Sequence, residues 1–346
     1  MFPPNELKDL ATKHALALKS LHNIENVLNK RFFQMQEAVS ALTLAVAAGE
    51  PLLLIGDPGT AKSRLIRVFC GMVGVLDLND LNERKREYFE YLLTPFTEPG
   101  ELFGYYNIAA ARANQGLRRE TDMMMQEARV VYLDEIFNAS SAILNSLLAF
   151  MNERYYHDRG QRVEVAMECL FAATNHIPDS DELLAVYDRF LLRCKVKRAD
   201  ADPESIGQLI GAGWGETYGS PQAGFSVRDD LLEKLKDLRG DIRQRTAAGA
   251  LTPNKNSSFY GQLAQRINHA RDAGLSTVSN RRLIKLVHVM LIHRIYHAVA
   301  NNELGGKAPL ELGPEQLRLF RRFFLDRADD PQADLLEHPS IVQFIP

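Results

Sequence analysis

The residues best suited to chemistry stand together in GDPGTAKS, Gly56 to Ser63. Gly56 and Gly59 permit a tight turn whose N–H groups converge on phosphate oxygens. The N-terminus of a following helix adds partial positive charge. Lys62 then reaches the β and γ phosphates as a point charge, and the Ser63 hydroxyl is placed to ligate magnesium. The nucleotide-binding stretch is therefore read as Gly56, Asp57, Pro58, Gly59, Thr60, Ala61, Lys62, Ser63 and Arg64. Ala61 stands where this pattern has a glycine. Alanine tolerates right-handed helical backbone, so the helix is expected to begin at Thr60 or Ala61. The plain alternative is a Gly/Pro turn carrying a surface Lys-Ser pair. What favours a phosphate loop is its context, an apolar PLLLI before it and an amphipathic RLIRVF after it.

A second group of candidates closes apolar runs. VVYL, Val130 to Leu133, leads into Asp134 and Glu135. Carboxylates at the C-terminal end of a parallel strand lie on the edge where doubly wound folds bind ligands. There Asp134 would hold magnesium directly or through water, and Glu135 would orient or deprotonate the water that attacks the γ phosphate. CLFAATN ends in Asn175 on the same edge, placed to bond that water or the γ phosphate, or else simply starting the turn through Pro178. ELLAVYDRFLLRCKV carries Asp188 and Arg189 just ahead of a further strand. Arg189 is either a surface ion-pair residue or a group that enters a neighbouring subunit's site and neutralises transition-state charge, with Arg193 as its rival.

The elements that must position these groups follow from pattern. Helical periodicity covers residues 5–30 and 33–48, with Gly49 as a C-cap. Strands are expected at residues 52–55, 91–96, 130–133 and 169–175, alternating with helices, and a fifth after Arg189. Residues 98–129 read as an insert standing off the nucleotide domain, its Met123, Met124 and Met125 either an adaptable contact surface or packed under a loop. A hairpin is expected over 154–167, turning at Asp158, Arg159 and Gly160. Beyond Asp200 the pattern is helical only, over 203–212, 227–248, 259–273, 280–301 and 314–327. These halves give an α/β nucleotide-binding core over residues 1–200 and an all-helical lid over 201–346.

Composition sets outer limits. The 346 residues are 46% hydrophobic and 25% charged, enough for one large or two ordinary domains with proper cores. A formal charge of -3 argues against an overall electrostatic footprint for nucleic acid. Arg112, Arg118, Arg119, Arg159 and Arg162 lie in the insert and hairpin, yet acids are interspersed among them and no aromatic stacking series accompanies them. Cys70, Cys169 and Cys194 have no metal-ligand spacing and read as buried, reduced thiols of a cytoplasmic protein. The N-terminus lacks a signal-peptide core, and no apolar run is read as long enough to span a bilayer.

In order along the chain, GDPGTAKS, ELFG at Glu101 to Gly104, VVYLDEIFNASSAILNSLLAFMNER, AATN and LLAVYDRFLLR together resemble the MoxR family of AAA+ ATPases, and within it the RavA-like branch. That family commonly has alanine before the phosphate-loop lysine. The resemblance implies an AAA+ P-loop core with a five-stranded parallel sheet, ATP and Mg2+ as cofactors, and a homo-oligomeric, hexameric ring that remodels a partner protein. It implies Arg189 as the arginine finger. In VSNRR it implies Arg281, or its neighbour Arg282, as a lid arginine that senses the γ phosphate with Asn175 in the same subunit. A partner carrying a von Willebrand factor A domain is expected on the same ground. Two rival readings are a nucleotide-gated scaffold with little turnover and a motor acting on nucleic acid.

Overall fold

The computed structural model describes residues 2–79, 87–112, 118–158, 161–219, 226–327 and 330. Arg159 and Gly160 lie outside the described residues. The strands are β1 (Leu52–Ile55), β2 (Tyr88–Leu92), β3 (Val130–Asp134), β4 (Tyr155–Asp158), β5 (Gln161–Glu164), β6 (Cys169–Thr174) and β7 (Leu192–Lys195). Five of them form one sheet in the order β2-β3-β6-β1-β7, every neighbouring pair parallel, while β4 and β5 make the expected antiparallel hairpin. Alternation along the strands divides the core. Leu52, Leu54, Val130, Tyr132, Phe171 and Ala173 enter one apolar cluster. Leu53, Ile55, Val131, Leu133, Leu170 and Ala172 enter the other. Both faces of the central strands are thus covered, which is why they read as unbroken apolar runs.

The helices are α1 (Pro4–Lys13), α2 (Ala15–Arg31), α3 (Gln36–Ala48), α4 (Lys62–Met72), α5 (Pro99–Phe103), α6 (Ile108–Arg112), α7 (Ser141–Glu153), α8 (Asp181–Tyr187), α9 (Pro203–Tyr218), α10 (Leu231–Ala247), α11 (Ser258–Asp272), α12 (Asn280–Ala300) and α13 (Pro314–Phe323). The single helix expected over 5–30 is two. His14 leaves helical geometry at φ -101°, and its ring bonds the Asp241 carboxylate at 2.8 Å. Residues 32–35 form a connector in which Phe32 is buried and Gln34 has φ 54°. The second strand lies earlier than residues 91–96 because Glu90, which made that stretch read as polar, is satisfied by Arg67 and Tyr88. The insert does not stand off: Leu102, Phe103 and Met125 are buried in the sheet's second cluster, with Met123 and Met124 half-buried. At the far end, α9 continues to Tyr218 and α13 stops at Phe323.

The apolar cluster on the first sheet face continues into the helical region, where α12 packs against α1, α2, α3 and α13. By length and hydropathy alone, the 21 residues of α12 would be sufficient to cross a membrane, which amends the sequence reading of span lengths. Half of its most apolar window is buried inside the protein, as expected of a core helix. The three cysteines are free and buried, and burial raises each thiol pKa, that of Cys169 to about 11.

Candidate nucleotide site

The loop between β1 and α4 is held by two different backbone requirements. Gly56 lies so close to β7 that an added Cβ would sit 2.2 Å from the Val196 carbonyl oxygen. Gly59 has φ +81°, with open space where a side chain would be. Ala61, expected at the start of right-handed helix, instead takes the left-handed conformation, φ 61° and ψ 19°, as the residue before α4. For alanine that costs roughly 1–2 kcal/mol, and it turns the chain so that Lys62 begins the helix. The Lys62 ammonium is buried and bonds the Gly56 carbonyl at 2.5 Å, the Asp57 carbonyl at 3.0 Å and the Asn175 side-chain oxygen at 3.5 Å. Burial lowers its pKa, while Asp134, Glu135 and Asp57 pull it back.

Directly across, the end of β3 supplies the acids. Ser63 Oγ donates to Asp134 Oδ2 at 3.1 Å and accepts from the Tyr132 hydroxyl at 3.0 Å. The other Asp134 oxygen accepts the Glu135 N–H at 3.0 Å. Glu135 stands at φ 52° and ψ 47°, a strained backbone position for this residue. The Asn175 amide at the end of β6 donates to its Oε1 at 2.5 Å. Lys62, Ser63, Asp134, Glu135 and Asn175 therefore converge on the C-terminal edge of the sheet. Hydroxyl and carboxylate oxygens side by side suit a hard cation such as Mg2+. Among the described residues no trio of His, Cys, Asp or Glu could hold a metal alone, so the ion fits as a companion of phosphate.

Beside the loop lies a cavity of about 640 Å³, lined by Phe32, Phe33, Met35, Thr60, Arg64 and Leu209 among others. It has room for a nucleoside, and its apolar walls come from the α2–α3 connector and from α9. Asp57 is ion-paired with Arg198 at 3.1 Å, both exposed. Sequence reasoning missed Phe32, Phe33 and Leu209. The RFF run just before a second helix was the available signal.

The arginines stand elsewhere. β1 and β7 run parallel with Leu52 beside Leu192 and Ile55 beside Lys195, so Asp188 and Arg189 lie at the N-terminal edge, opposite the phosphate loop. Arg189 bonds Asp188 at 3.3 Å, and its Nε has no hydrogen-bond partner. Arg281 comes to the same Asp188 at 3.9 Å, and Arg282 at 3.6 Å. Arg281, expected as a sensor in the same subunit, is thus placed beside the finger candidate Arg189 through their shared neighbour Asp188. Burial lowers the Arg189 pKa, and the adjacent Arg281 lowers it further. The rival candidates are structural. Arg193 lies in β7, fully buried over the Tyr187 ring and paired with Asp326. Arg282 is buried and bonds Asp326 at 2.6 Å. Among the arginines weighed for nucleic acid, Arg119 is spent on Asp158 and the Tyr106 ring, and Arg162 lies over Tyr155.

A family model described as the MoxR domain in the MoxR-vWA-beta-propeller ternary systems matches residues 19–237. The chain belongs to the MoxR family of AAA+ proteins. Two uncharacterised proteins of Methanocaldococcus jannaschii resemble this MoxR chain. One is 32% identical over 90% of the chain and 72% of its own length, the other 39% identical over 64% and 56%. A structural protein of the Acidianus two-tailed virus is 29% identical over 54% of the chain and 28% of its own length. Among solved structures, a protein of Cytophaga hutchinsonii described as a candidate ATPase superposes with a TM-score of 0.61 at 16% identity, covering 98% of this chain and 97% of its own. That likeness carries the fold. MoxR membership implies ATPase activity and a role associated with a partner, and it does not separate the RavA-like branch from the rest.

Proposed function

We propose that this MoxR chain is a magnesium-dependent ATPase whose sites are completed between copies of itself in a ring, and whose turnover remodels a partner protein. The observation that carries this is the division of the machinery between two sheet edges. Lys62, Ser63, Asp134, Glu135 and Asn175 face one edge, while Arg189 and Arg281 are presented together on the other. Neither arginine can serve its own phosphate loop, so both are assigned to the neighbour's. The loop N–H groups and Lys62 bind the phosphates, and the apolar cavity takes the nucleoside. A bound Mg2+ would be held by Ser63 and Asp134 and would neutralise phosphate charge. Glu135 accepts the proton of the attacking water, with Asn175 fixing the carboxylate's direction. Arginines supplied across an interface are worth about 10³–10⁵ in rate in related phosphoryl transfers.

The face of α9 supports an assembly. Ile206, Leu209, Ile210, Trp214 and Tyr218 are exposed at helical spacing beside the nucleoside cavity. The partner is assigned from the family description, as a protein with a von Willebrand factor A domain within a ternary system.

The test is complementation. Lys62→Ala and Arg189→Ala proteins should each be nearly inactive alone, and mixing them should restore part of the ATPase rate, because some interfaces then pair an intact loop with an intact arginine. An Arg189→Ala protein with the wild-type rate, or a mixture no more active than its parts, would sink the shared-site reading.

A further inference from the structure

A second cavity, of about 370 Å³, lies under the N-terminal ends of β1 and β6, on the edge away from the phosphate loop. That volume is in the range of small-molecule sites. Its walls come from both parts of the chain. From α10, Lys236, Arg239 and Arg243 fall at i, i+3 and i+7, on one helix face; from α12 come Lys285 and His288, one turn apart. The core contributes Arg154, Glu50 and Glu168.

Some of these charges are committed. Arg154 bonds the Met167 and Gly49 carbonyls at 2.7 and 2.8 Å, and Arg239 bonds the Val46 carbonyl at 3.0 Å and Glu168 at 3.2 Å. Lys285 meets Glu50 at 2.6 Å. Lys236 and Arg243 have no carboxylate partner among the described residues. Five cationic side chains therefore line the cavity against two carboxylates. His288 registers the result. Burial pushes its pKa down to about 4, Lys285, Arg239 and Arg243 push the same way, and only a bond to the Ala48 backbone opposes them. Among the described residues no Phe, Tyr or Trp lines the cavity, so no large aromatic ring there would stack a base. Arginine forks and lysine point charges are the groups that hold phosphate.

We propose that this cavity binds a small oligophosphate anion, which ties the helical region to the α/β core at the edge remote from the nucleotide. The site is independent of ATP turnover, and its test needs none. The full chain carrying Lys62→Ala, which disables the phosphate loop, is melted with and without inorganic tripolyphosphate at ionic strength matched with sodium chloride. A ligand bound only to the folded chain raises Tm, so a rise of a few degrees is expected. Adding Lys236→Glu and Arg243→Glu, at two exposed positions, should abolish that rise while leaving the ligand-free melt near its original temperature. No rise in the Lys62→Ala protein, a rise of equal size after the charge reversals, or an equal rise with sulfate would each overturn the proposal.

Discussion

Ala61 and Glu135 are the two site residues whose backbone conformation runs against their chemistry, each with positive φ and neither a glycine. At Ala61 the strain has a small Cβ to accommodate. Replacing it by glycine relieves that strain but gives the unfolded chain more freedom, so the two effects offset within about 1 kcal/mol. Valine is different, because a β-branched residue in left-handed backbone is a true outlier. Ala61→Val is expected to destabilise by about 2 kcal/mol or more, read from urea midpoints, whereas Ala61→Gly should stay near wild type. At Glu135 the strain aims a carboxylate that Asn175 then holds. Glu135→Gln should bind ATP with nearly the wild-type Kd and lose turnover by about 100-fold or more. Asn175→Asp would place a second carboxylate against Glu135 and raise the pKa of the pair. Since the base acts deprotonated, the pH–rate profile of that variant should lose its acidic side first; an unmoved profile would mean that Asn175 does not hold the base. The meeting of the loop lysine, the serine and both acids at one sheet edge was legible in the sequence because it follows from the motif spacing and the strand ends. The conformation of Ala61 was not, because a letter says which backbone a residue prefers and not which one its neighbours impose.

Among the elements, α12 carries the clearest pH dependence. His293 is kept neutral by burial, with His297, Arg322 and Arg294 pushing the same way, and its pKa falls to about 3. Its Nδ1 is 3.1 Å from the side-chain amide of the buried Gln316 on α13. The unfolded chain binds a proton here near pH 6.5, and the folded chain does so only far lower. Stability is therefore full above about pH 6.5 and declines as pH falls below it, by up to about 1.4 kcal/mol per unit for each such histidine. His288 adds the same sign down to about pH 4. Thermal melts from pH 7.5 to 4.5 should show this decline, and His293→Gln should flatten it. The order of elements was readable from periodicity, since runs such as VVYL and CLFAAT announce strands covered on both faces. β2 was misplaced because an edge strand with Glu90 ion-paired to Arg67 reads as a charged loop. The insert was misjudged for a related reason, as ELFG and Met125 supply few apolar letters but bury nearly all of them. Helix α9 has the opposite character, with the Trp214 and Tyr218 rings in tilted contact, centroids 4.6 Å apart, in the open. Trp214→Glu should shift the sedimentation profile toward the monomer without lowering Tm; an unchanged profile would remove α9 from the contact between copies.

At the scale of the molecule, one carboxylate joins three regions. Asp326 follows α13, binds Arg193 of β7 and Arg282 of α12, and accepts the Thr277 N–H at 2.8 Å. Burial pushes its carboxyl up, but the two guanidinium groups outweigh that and bring its pKa down to about 2. Asp326→Ala would leave two arginines buried without their counter-ion, at a cost of about 3–5 kcal/mol in chemical denaturation. No local pattern could have shown that linkage, since residues 193, 282 and 326 meet only in the folded chain.

The same corner has a consequence for how copies recognise one another. Among the described residues, Arg189, Arg193, Arg281 and Arg282 crowd around two carboxylates, Asp188 and Asp326, and three of those guanidinium groups have an Nε with no hydrogen-bond partner. In the proposed ring, an excess of guanidinium charge on this corner would favour a neighbour whose cleft is filled with triphosphate over a bare one. Within that proposed ring, loading and self-association would then be a single equilibrium, in which each occupied copy recruits the next and product release loosens the joint. Light scattering should therefore show particle mass rising with ATP in the Glu135→Gln protein and falling again as potassium chloride screens the attraction.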